Sequence, residues 1–315
     1  MGDAASAFDG LYTKPSTRGL EDHDMPLKEK IEAGGFAVLA ELEPPKGADF
    51  HSLLANADLV KGRVDAFMVP EMANSVVKAS SLGGCAFLQN RGFETVLQVC
   101  CRDRNRLALQ ADILAAGAIG IKTVMVVQGD DITFGDHHQA RAVNDVTLMQ
   151  LLEAIAGLKN GKDMAGIELK GAPDFFVGST FNAGAAGGAL DLEIEELKKK
   201  KGLGAAFVVT TPVFDTDIFE KLLVKLKPVG VSVIPTVLLL KSAGMARYID
   251  RNVKNIFIPS QLIESIQKAP DKPVECVSIA GKLISRFKEM GAPGVLVSTI
   301  GWEEKLPQVL DEARL

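Results

Sequence analysis

Residues 95–130 read TVLQVCCRDRNRLALQADILAAGAIGIKTVMVVQGD, and this stretch indicates the fold class. Two short runs rich in valine, Thr95–Cys100 and Lys122–Gln128, have the composition of buried parallel strands. Between them, Arg104–Ala116 carries apolar residues at helical spacing, and Gly117 is expected to end that helix. A strand, a helix and a second strand in this order predict two parallel strands that share one sheet.

The same alternation continues along the rest of the chain. Further strand-like runs are Phe36–Leu42, Val64–Val69, Asp174–Gly178, Ala205–Thr210, Val231–Val237 and Gly294–Ser298. Helical periods lie between them, among them Val146–Leu158 and Asp215–Leu226, where Asp215 is a suitable N-cap. Eight strands alternating with helices over roughly 260 residues predict an α/β fold, a single (β/α)8 TIM barrel. A doubly wound open sheet is the alternative, but no G-x-G-x-x-G motif follows the first strand.

Composition narrows the class of protein further. The chain has 315 residues, 47% of them hydrophobic, and a formal net charge of −5, which argues against a nucleic-acid partner. The longest uncharged apolar stretch, Pro228–Leu240, is shorter than the roughly 20 residues that a membrane span needs. Residues 1–24 are polar and lack the pattern of a secretory signal. We therefore expect a cytoplasmic protein with a polar tail over residues 1–24 and a barrel over residues 25–315.

The cysteines and histidines show no metal-binding pattern. The four cysteines are Cys85, Cys100, Cys101 and Cys276, and none forms a C-x-x-C pair. No H-E-x-x-H motif or spaced histidine triad is present. The sequence therefore predicts buried, reduced thiols and no metal site.

Two glutamates stand at the end of the first predicted strand, where a barrel builds its active site. In the segment AELEPP, residues 40–45, Glu41 and Glu43 fall on the same face of the chain. A carboxyl group directed into the barrel loses water contact, which raises its pKa and suits it to general-acid chemistry. The alternative is a hydrated rim carboxylate, or one paired with Lys46.

The third and fourth strands also end in polar residues. Gly129 allows the backbone to approach a ligand closely, and Asp130 can accept hydrogen bonds, although turn formation explains this pair equally well. Arg102 and Arg104 could bind a phosphate or carboxylate. The structural alternative is that this segment begins a helix, with Asp103 or Asn105 as the cap.

Two further segments have both a structural and a binding interpretation. The glycine-rich stretch Ser179–Gly188 offers backbone N–H groups to a planar or phosphorylated ligand, or it forms a flexible loop. The lysine run 198–201 follows several glutamates. Pairing of Glu195 with Lys199 and of Glu196 with Lys200 predicts a solvated helix face, and a phosphate clamp is the alternative.

Together these motifs resemble the methylenetetrahydrofolate reductase family from about Gly35 to the C-terminus. The matching segments are Ala40–Pro45, Arg102–Asn105, Gln128–Asp130, Leu197–Lys200, Thr210–Asp215 and Gly301–Glu303. The resemblance implies that Glu41 is the catalytic acid and that Asp130 contacts both a flavin and the folate. It further implies that Gly129, Lys199 and Lys200 contribute to cofactor binding.

At several positions the chain departs from the family pattern. Gln98 stands in place of a histidine and Gln128 in place of an arginine, both of which face the cofactor in relatives. Asn182 lies where the family has cofactor-binding residues after the fifth strand, and Thr211 replaces a folate-binding glutamine. The resemblance implies FAD as the cofactor, and these replacements leave FMN as the alternative.

The resemblance also implies a reaction in one-carbon metabolism, the flavin-dependent reduction of 5,10-methylenetetrahydrofolate to 5-methyltetrahydrofolate. NADH or NADPH would supply the electrons, or a partner subunit that contains iron–sulfur and zinc sites would relay them. A homo-oligomer is compatible with the sequence. Two alternatives remain. One is a barrel that has lost the cofactor and serves as a subunit of a larger redox complex. The other is a lyase that forms a Schiff base through Lys122, which is less favoured because Lys122 begins its strand rather than ending it.

Overall fold

The computed structural model describes residues 25–315, whose eight strands form one closed parallel barrel. Each strand pairs with the next one along the chain, and the last pairs with the first through Val295 and Val38. The strands are β1 Ala37–Glu41, β2 Ala66–Val69, β3 Thr95–Cys100, β4 Thr123–Val127, β5 Phe176–Phe181, β6 Phe207–Pro212, β7 Ser232–Leu238 and β8 Gly294–Ser298. The predicted (β/α)8 barrel is confirmed. The predicted tail over residues 1–24 lies outside the described residues.

Helices alternate with the strands and surround the barrel. They are α1 Leu27–Glu32, α2 His51–Asp58, α3 Ser81–Gln89, α4 Arg106–Ala118, α5 Leu148–Lys159, α6 Gly188–Gly202, α7 Thr216–Leu226, α8 Ala243–Asn252, α9 Ser260–Lys268, α10 Lys272–Glu289 and α11 Leu306–Glu312. The caps of α4 and α7 are Asn105 and Asp215, as the sequence predicted. No helix in residues 25–315 combines the length with the apolar character that a bilayer crossing requires.

Two hydrophobic cores result from this arrangement. The larger one lies between the strands and the surrounding helices, and the smaller one fills the barrel interior. In the interior, the rings of Phe176 and Phe207 stack with their centroids 4.9 Å apart. Gly178 leaves the space that the Phe207 ring occupies, because a Cβ atom at position 178 would lie 2.2 Å from that ring. All four cysteines are buried and free.

Several predicted boundaries differ from those of the structure, and two of the differences have a cause in the packing. Strand β5 extends to Phe181 rather than ending at Gly178, so the first part of the glycine-rich segment belongs to the sheet. Burial explains this extension, because Phe181 is inaccessible and Ser179 donates its hydroxyl to the carbonyl of Val126 at 3.1 Å. Helix α4 continues past Gly117 to Ala118. The missing side chain of Gly117 instead makes room for Pro173, which would lie 2.8 Å from a Cβ atom there.

The amino end of the barrel contains two carboxyl groups with little water contact. Asp65 forms a buried ion pair with Lys30 at 2.8 Å and accepts a hydrogen bond from the backbone N–H of Val38 at 2.6 Å. Glu94 accepts a hydrogen bond from the backbone N–H of Leu27, the first residue of α1, at 3.1 Å. Burial raises the pKa of Glu94 to about 7.

Candidate active site

A cavity of about 860 Å³ opens at the carboxyl ends of the strands. All eight strand ends contribute to it, through Glu41, Met68, Gln98, Gln128, Thr180, Thr211, Thr236 and Ser298. Its volume lies toward the upper end of the range of about 300–1,000 Å³ that is typical of ligand sites. The carboxyl end is also where barrels of this kind place their active sites.

The inner wall of the cavity is largely apolar. It is formed by side chains of the barrel interior and the strands around it, namely Met68, Met125, Val209, Leu238 and Leu296. The polar groups stand around this apolar surface, on the strand ends and the loops that follow them. Such an arrangement suits a planar heteroaromatic ring, which packs its faces on apolar side chains and exchanges hydrogen bonds at its edges.

Glu41 ends β1 inside this cavity, as the resemblance implied for the catalytic acid. The hydroxyl of Ser298, at the end of the neighbouring strand β8, donates a hydrogen bond to Glu41 Oε1 at 2.8 Å. Burial raises the pKa of Glu41 above its ordinary value, and the nearby acids Glu303 and Asp130 act in the same direction. The Ser298 hydrogen bond and the charge of Lys78 oppose this rise in pKa. The net effect is a pKa above the ordinary value, the direction that suits a carboxyl group to donating a proton.

Glu43 lines the same cavity but has a different partner from the one considered in the sequence. It forms an ion pair with Lys78, whereas Lys46 pairs with Asp136. The alternative that a strand-end glutamate pairs with Lys46 is therefore wrong. Burial lowers the pKa of Lys78, while the charges of Glu41 and Glu303 raise it. The two strand-end glutamates thus stand in distinct surroundings, one bonded to a hydroxyl group and the other to an ammonium group.

The turn after β4 places Gln128 and Asp130 at the cavity. Gly129 between them has a φ of 89°, and a Cβ atom there would lie 2.4 Å from Cys100 Sγ. Only glycine fits this turn, because both its backbone angle and its surroundings exclude a side chain. One carboxylate oxygen of Asp130 accepts a hydrogen bond from the backbone N–H of Asn74 at 2.7 Å.

The loop after β2 completes this side of the cavity, and its role was not predicted from the sequence. Met72, Asn74 and Ser75 all have positive φ, between 43° and 59°. The buried guanidinium of Arg102 holds the loop, since it donates to Ser75 Oγ at 2.7 Å and to the carbonyl of Met72 at 3.2 Å. It also donates to the carbonyl of Asp130 at 3.1 Å. Arg102 therefore connects the loops after β2, β3 and β4.

Neither arginine after β3 presents a free guanidinium to a ligand. Arg102 is additionally paired with Asp103 at 2.7 Å. Arg104 bonds Glu71 at 2.9 Å and Asp112 at 3.0 Å. The interpretation of this pair as an anion site is accordingly replaced by a structural one. The acids Asp103 and Asp112, close by in the sequence, could have indicated this structural role. The third partner, Glu71, follows a different strand, so its pairing with Arg104 could not be predicted.

Gln98 lies on the cavity wall with its amide group fixed on one side. Its Oε1 accepts a hydrogen bond from the backbone N–H of Glu71 at 3.2 Å. Its Nε2 lies 3.8 Å from Met68 Sδ, next to the apolar wall. The amide nitrogen is therefore the group that Gln98 can offer to a ligand, as a hydrogen-bond donor.

The loop after β5 folds back over the neighbouring strand end. Thr211 Oγ1 accepts a hydrogen bond from the backbone N–H of Ala183 at 3.1 Å, and Asn182 Oδ1 accepts one from Gly184 at 3.1 Å. Both Thr211 and Asn182 line the cavity. The backbone of Asn255 packs closely against Gly184 of this loop. A Cβ atom at position 184 would lie 1.8 Å from the Asn255 carbonyl oxygen, so the loop requires a glycine there.

Of the two lysines assigned to cofactor binding, only Lys200 lines the cavity. Lys200 Nζ donates to the carbonyl of Thr180 at 2.8 Å and pairs with Glu196 at 2.7 Å, which confirms the predicted i,i+4 pair. Lys199 lies on the exposed face of α6, and Glu195 pairs with Lys198 instead. Helical geometry explains the difference, because position 200 follows the buried positions 194 and 197 at intervals of three residues.

Within residues 25–315 no group of three or more His, Cys, Asp or Glu side chains could hold a metal ion.

Comparisons with known proteins identify the family of the chain. Residues 26–314 match the family model described as methylenetetrahydrofolate reductase. A curated relative from Caenorhabditis elegans, named probable methylenetetrahydrofolate reductase (NADPH), is 21% identical over an alignment of 262 residues that covers 76% of this chain. The chain spans about a third of that relative's length, 35%.

Two similar solved structures share the fold. One is an uncharacterized protein from Clostridium thermocellum described as binding two copies of 5-methyl-5,6,7,8-tetrahydrofolic acid. It has a TM-score of 0.60 and 14% identity, with 91% of this chain and 98% of that chain covered. The other is 2,3-dimethylmalate lyase, with a TM-score of 0.52, 10% identity, and coverage of 91% of this chain and 81% of that chain. At these identities the likeness shows the fold alone.

Proposed function

The chain belongs to the methylenetetrahydrofolate reductase family, and on this premise we propose that its cavity binds a flavin and a reduced folate and reduces 5,10-methylenetetrahydrofolate to 5-methyltetrahydrofolate. The observation that carries the proposal is the Glu41 carboxyl group, which lies in the cavity with a raised pKa and a hydrogen bond from Ser298. A carboxyl group with a raised pKa in a cavity with an apolar wall is the arrangement that this reaction needs from the protein.

Glu41 supplies a proton to the folate in this proposal. The methylene carbon of the substrate bridges two nitrogens and becomes electrophilic once the five-membered ring opens to an iminium ion. Opening requires a proton on N10 as its bond to the methylene carbon breaks, and the neutral Glu41 carboxyl group is the donor. The Ser298 hydroxyl fixes the orientation of that carboxyl group and stabilises the carboxylate left after proton transfer.

The residues of the cavity fit a flavin. The apolar wall of Met68, Met125 and Leu296 can pack against the ring, and Gln98 Nε2 can donate a hydrogen bond to its edge. Gln128, Gly129, Asp130, Asn182 and Lys200 are the other residues that we assign to cofactor binding. Lys199, which the resemblance implied as well, lies on the exposed face of α6 outside the cavity and is not among them. When bound, the flavin supplies the hydride that the folate carbon accepts. FAD is the proposed form, and FMN is the alternative that a measurement of the released cofactor would distinguish.

Asp130 and Thr211 are the residues that we assign to folate binding. Both line the cavity, Asp130 on the β4 turn and Thr211 at the end of β6. The support for a folate comes from the family and from the Clostridium thermocellum protein of the same fold that binds 5-methyltetrahydrofolate. The Asp130 carboxylate would also add negative charge near the flavin and so lower its reduction potential.

The electron donor is the least constrained part of the proposal. We propose NADH or NADPH, and the curated relative carries NADPH in its name. The alternative is a partner subunit with iron–sulfur and zinc sites that passes electrons to the flavin.

The test is the yellow absorbance of the freshly purified protein, followed by anaerobic addition of NADH or NADPH. The proposal predicts a bound flavin that a pyridine nucleotide bleaches without any other protein. A flavin that the nucleotides leave yellow but dithionite bleaches would favour the partner subunit. A colourless protein that binds no added FAD or FMN would overturn the proposed function and favour the cofactor-free scaffold.

A further inference from the structure

The loop after β8 holds an isoleucine in a backbone conformation that isoleucine rarely adopts. Ile300 has a φ of 46°, in the left-handed region. Residues branched at Cβ are strongly disfavoured there, because the Cβ atom crowds the adjacent carbonyl oxygen. The other non-glycine residues with positive φ in the described part of the chain are not branched at Cβ: Met72, Asn74, Ser75, Asn144, Asn255 and Arg314.

The neighbouring residues hold Ile300 in this conformation. The ammonium group of Lys241, just beyond the end of β7, donates a hydrogen bond to the carbonyl oxygen of Ile300. The same ammonium lies 5.7 Å from the centre of the Trp302 ring, within the range of a cation–π interaction. The backbone N–H of Gly301 donates to Glu303 Oε1 at 3.0 Å. Strained conformations persist only where the surroundings fix them in this way.

The strained residue Ile300 lies at the candidate active site. Ile300 lines the cavity, and 44% of its surface is exposed although the side chain is apolar. It follows Ser298 by two residues, and Ser298 is the residue that bonds the Glu41 carboxyl group. An apolar side chain left open in the cavity that also holds Glu41 presents a surface that a bound ring can cover, and covering it removes that surface from water.

We propose that Ile300 is a substrate-binding residue whose side chain packs against the ring system of the bound folate beside Glu41, and that Lys241 positions it by holding the Ile300 carbonyl. This role rests on the proposed function. Glycine would satisfy the left-handed backbone without strain, so the side chain must contribute something that a relaxed loop would lose.

The first test compares stability and folate affinity in Ile300→Gly. The matched control is Arg314→Gly, which relieves a positive φ of 57° at an exposed position after α11, outside the cavity. Melting temperature is measured for each protein, and the Kd for 5-methyltetrahydrofolate is measured by calorimetry. We expect both variants to melt at the wild-type temperature or up to about 4 °C higher. Only Ile300→Gly should weaken folate binding, by about tenfold or more, because it removes the buried apolar contact.

The second test asks whether Lys241 acts through Ile300. Lys241→Met is expected to raise the Kd for 5-methyltetrahydrofolate, and it should add no more than about a further twofold in the Ile300→Gly background. Residues that act through one contact are not additive, whereas independent contacts multiply their effects on Kd. If the two substitutions multiply their effects on the Kd in the double variant, Lys241 binds the ligand itself and its positioning role is overturned.

The outcomes separate this proposal from the proposed function. Wild-type affinity in Ile300→Gly, or a lower melting temperature accompanying its loss of affinity, would overturn the role of Ile300 while leaving the folate function intact. A wild-type protein that does not bind 5-methyltetrahydrofolate would overturn both.

Discussion

At the scale of single residues, the proposed chemistry depends on the protonation state of one carboxyl group. Glu41 lies in the cavity, its pKa is raised by burial, and its hydrogen-bond partner Ser298 comes from the adjacent strand β8. The barrel closure creates this contact, because Glu41 and Ser298 are 257 positions apart in the chain. The hydrogen-bonded position of this proposed proton donor is therefore a property of the closed barrel and not of either segment alone.

Glu41→Gln should abolish the proton donor and retain the shape of the site. Glutamine keeps an oxygen that can accept the Ser298 hydrogen bond, so the flavin should remain bound at wild-type stoichiometry. Folate reduction should fall by about a hundredfold or more, the usual scale for loss of a general acid. Steady-state turnover and flavin content test this, with Glu153→Gln on the exposed surface of α5 as the control. Turnover of Glu41→Gln within a few-fold of wild type would remove Glu41 from its role.

Ser298→Ala should change the pH dependence of the reaction in a defined direction. The Ser298 hydrogen bond lowers the pKa of Glu41, so its removal should raise that pKa further. Activity requires the protonated acid and is lost as pH rises through the pKa. The basic limb of the kcat/KM profile should therefore move to higher pH in Ser298→Ala and stay in place in Ser298→Thr, which keeps the hydroxyl group. A basic limb that stays at the wild-type pH in Ser298→Ala would show that a group other than Glu41 controls the pH dependence.

At the scale of secondary-structure elements, α1 is fastened to the barrel through a carboxyl group that titrates near neutral pH. Glu94 accepts the first backbone N–H of α1, and burial raises its pKa from 4.5 to about 7. A raised carboxyl pKa means that the folded state binds the proton more tightly than the unfolded state does. The contribution of Glu94 to the free energy of unfolding is therefore fully present below pH 4.5, and it decreases as the pH rises toward 7.

Glu94→Gln should remove this pH dependence while retaining an acceptor for α1. The free energy of unfolding of the wild-type protein should fall, relative to that of the variant, by at most about 3 kcal/mol between pH 4.5 and pH 7. Chemical denaturation at several pH values measures the difference between the two proteins. Parallel stability profiles for wild type and Glu94→Gln would contradict the assignment.

Strand β5 depends on a glycine inside the barrel. A Cβ atom at Gly178 would lie 2.2 Å from the buried Phe207 ring, which is 0% exposed and cannot turn outward without breaking its stack on Phe176. Gly178→Ala should lower the free energy of unfolding by about 3 kcal/mol or more, toward or beyond the upper range for overpacking. Gly188→Ala, where no atom lies within 4 Å, should have little effect. Denaturant titration measures the free energy of unfolding of both variants. Equal values would contradict the prediction and show that the barrel interior can accommodate the added methyl group.

The sequence predicts most elements of this fold because each strand is short, apolar and bounded by glycine, proline or aspartate. Strands β3 and β8 match the predicted bounds, and β5 does not. The polar residue Ser179 is buried through its contact with Val126 of β4, and the pairing with β6 continues to Phe181, neither of which the sequence of this segment indicates. The end of α4 was misplaced for a similar reason, since Gly117 meets Pro173 from a distant segment.

The cavity residues are predictable to the extent that they stand directly at strand ends. Glu41, Gln98, Asp130 and Thr211 all line the cavity for this reason. The loop held by Arg102 could not be predicted, because its hydrogen bonds join segments that are about 30 residues apart. The strained Ile300 was equally hidden, since an isoleucine gives no sign in the sequence of a left-handed backbone.

At the scale of the whole molecule, the barrel separates stability from chemistry. The amino end carries the buried Lys30–Asp65 pair and the Glu94 contact to α1, while the carboxyl end carries the cavity. The interior between them is apolar and tightly filled, so the cavity has a rigid base. This organisation lets the loops after the strands differ among barrel proteins while the frame that positions Glu41 is retained.

The central claim, that the Glu41 cavity transfers a hydride between a bound flavin and a folate, is tested most directly by a half-reaction under anaerobic conditions. The flavin-loaded protein is first bleached by dithionite in stoichiometric amount and then mixed with 5,10-methylenetetrahydrofolate in a stopped-flow spectrometer. The yellow flavin absorbance should return in wild type as one equivalent of 5-methyltetrahydrofolate forms, and about a hundredfold or more slowly in Glu41→Gln. A reduced flavin that stays bleached in the wild-type protein, with the folate recovered unchanged, would contradict the account.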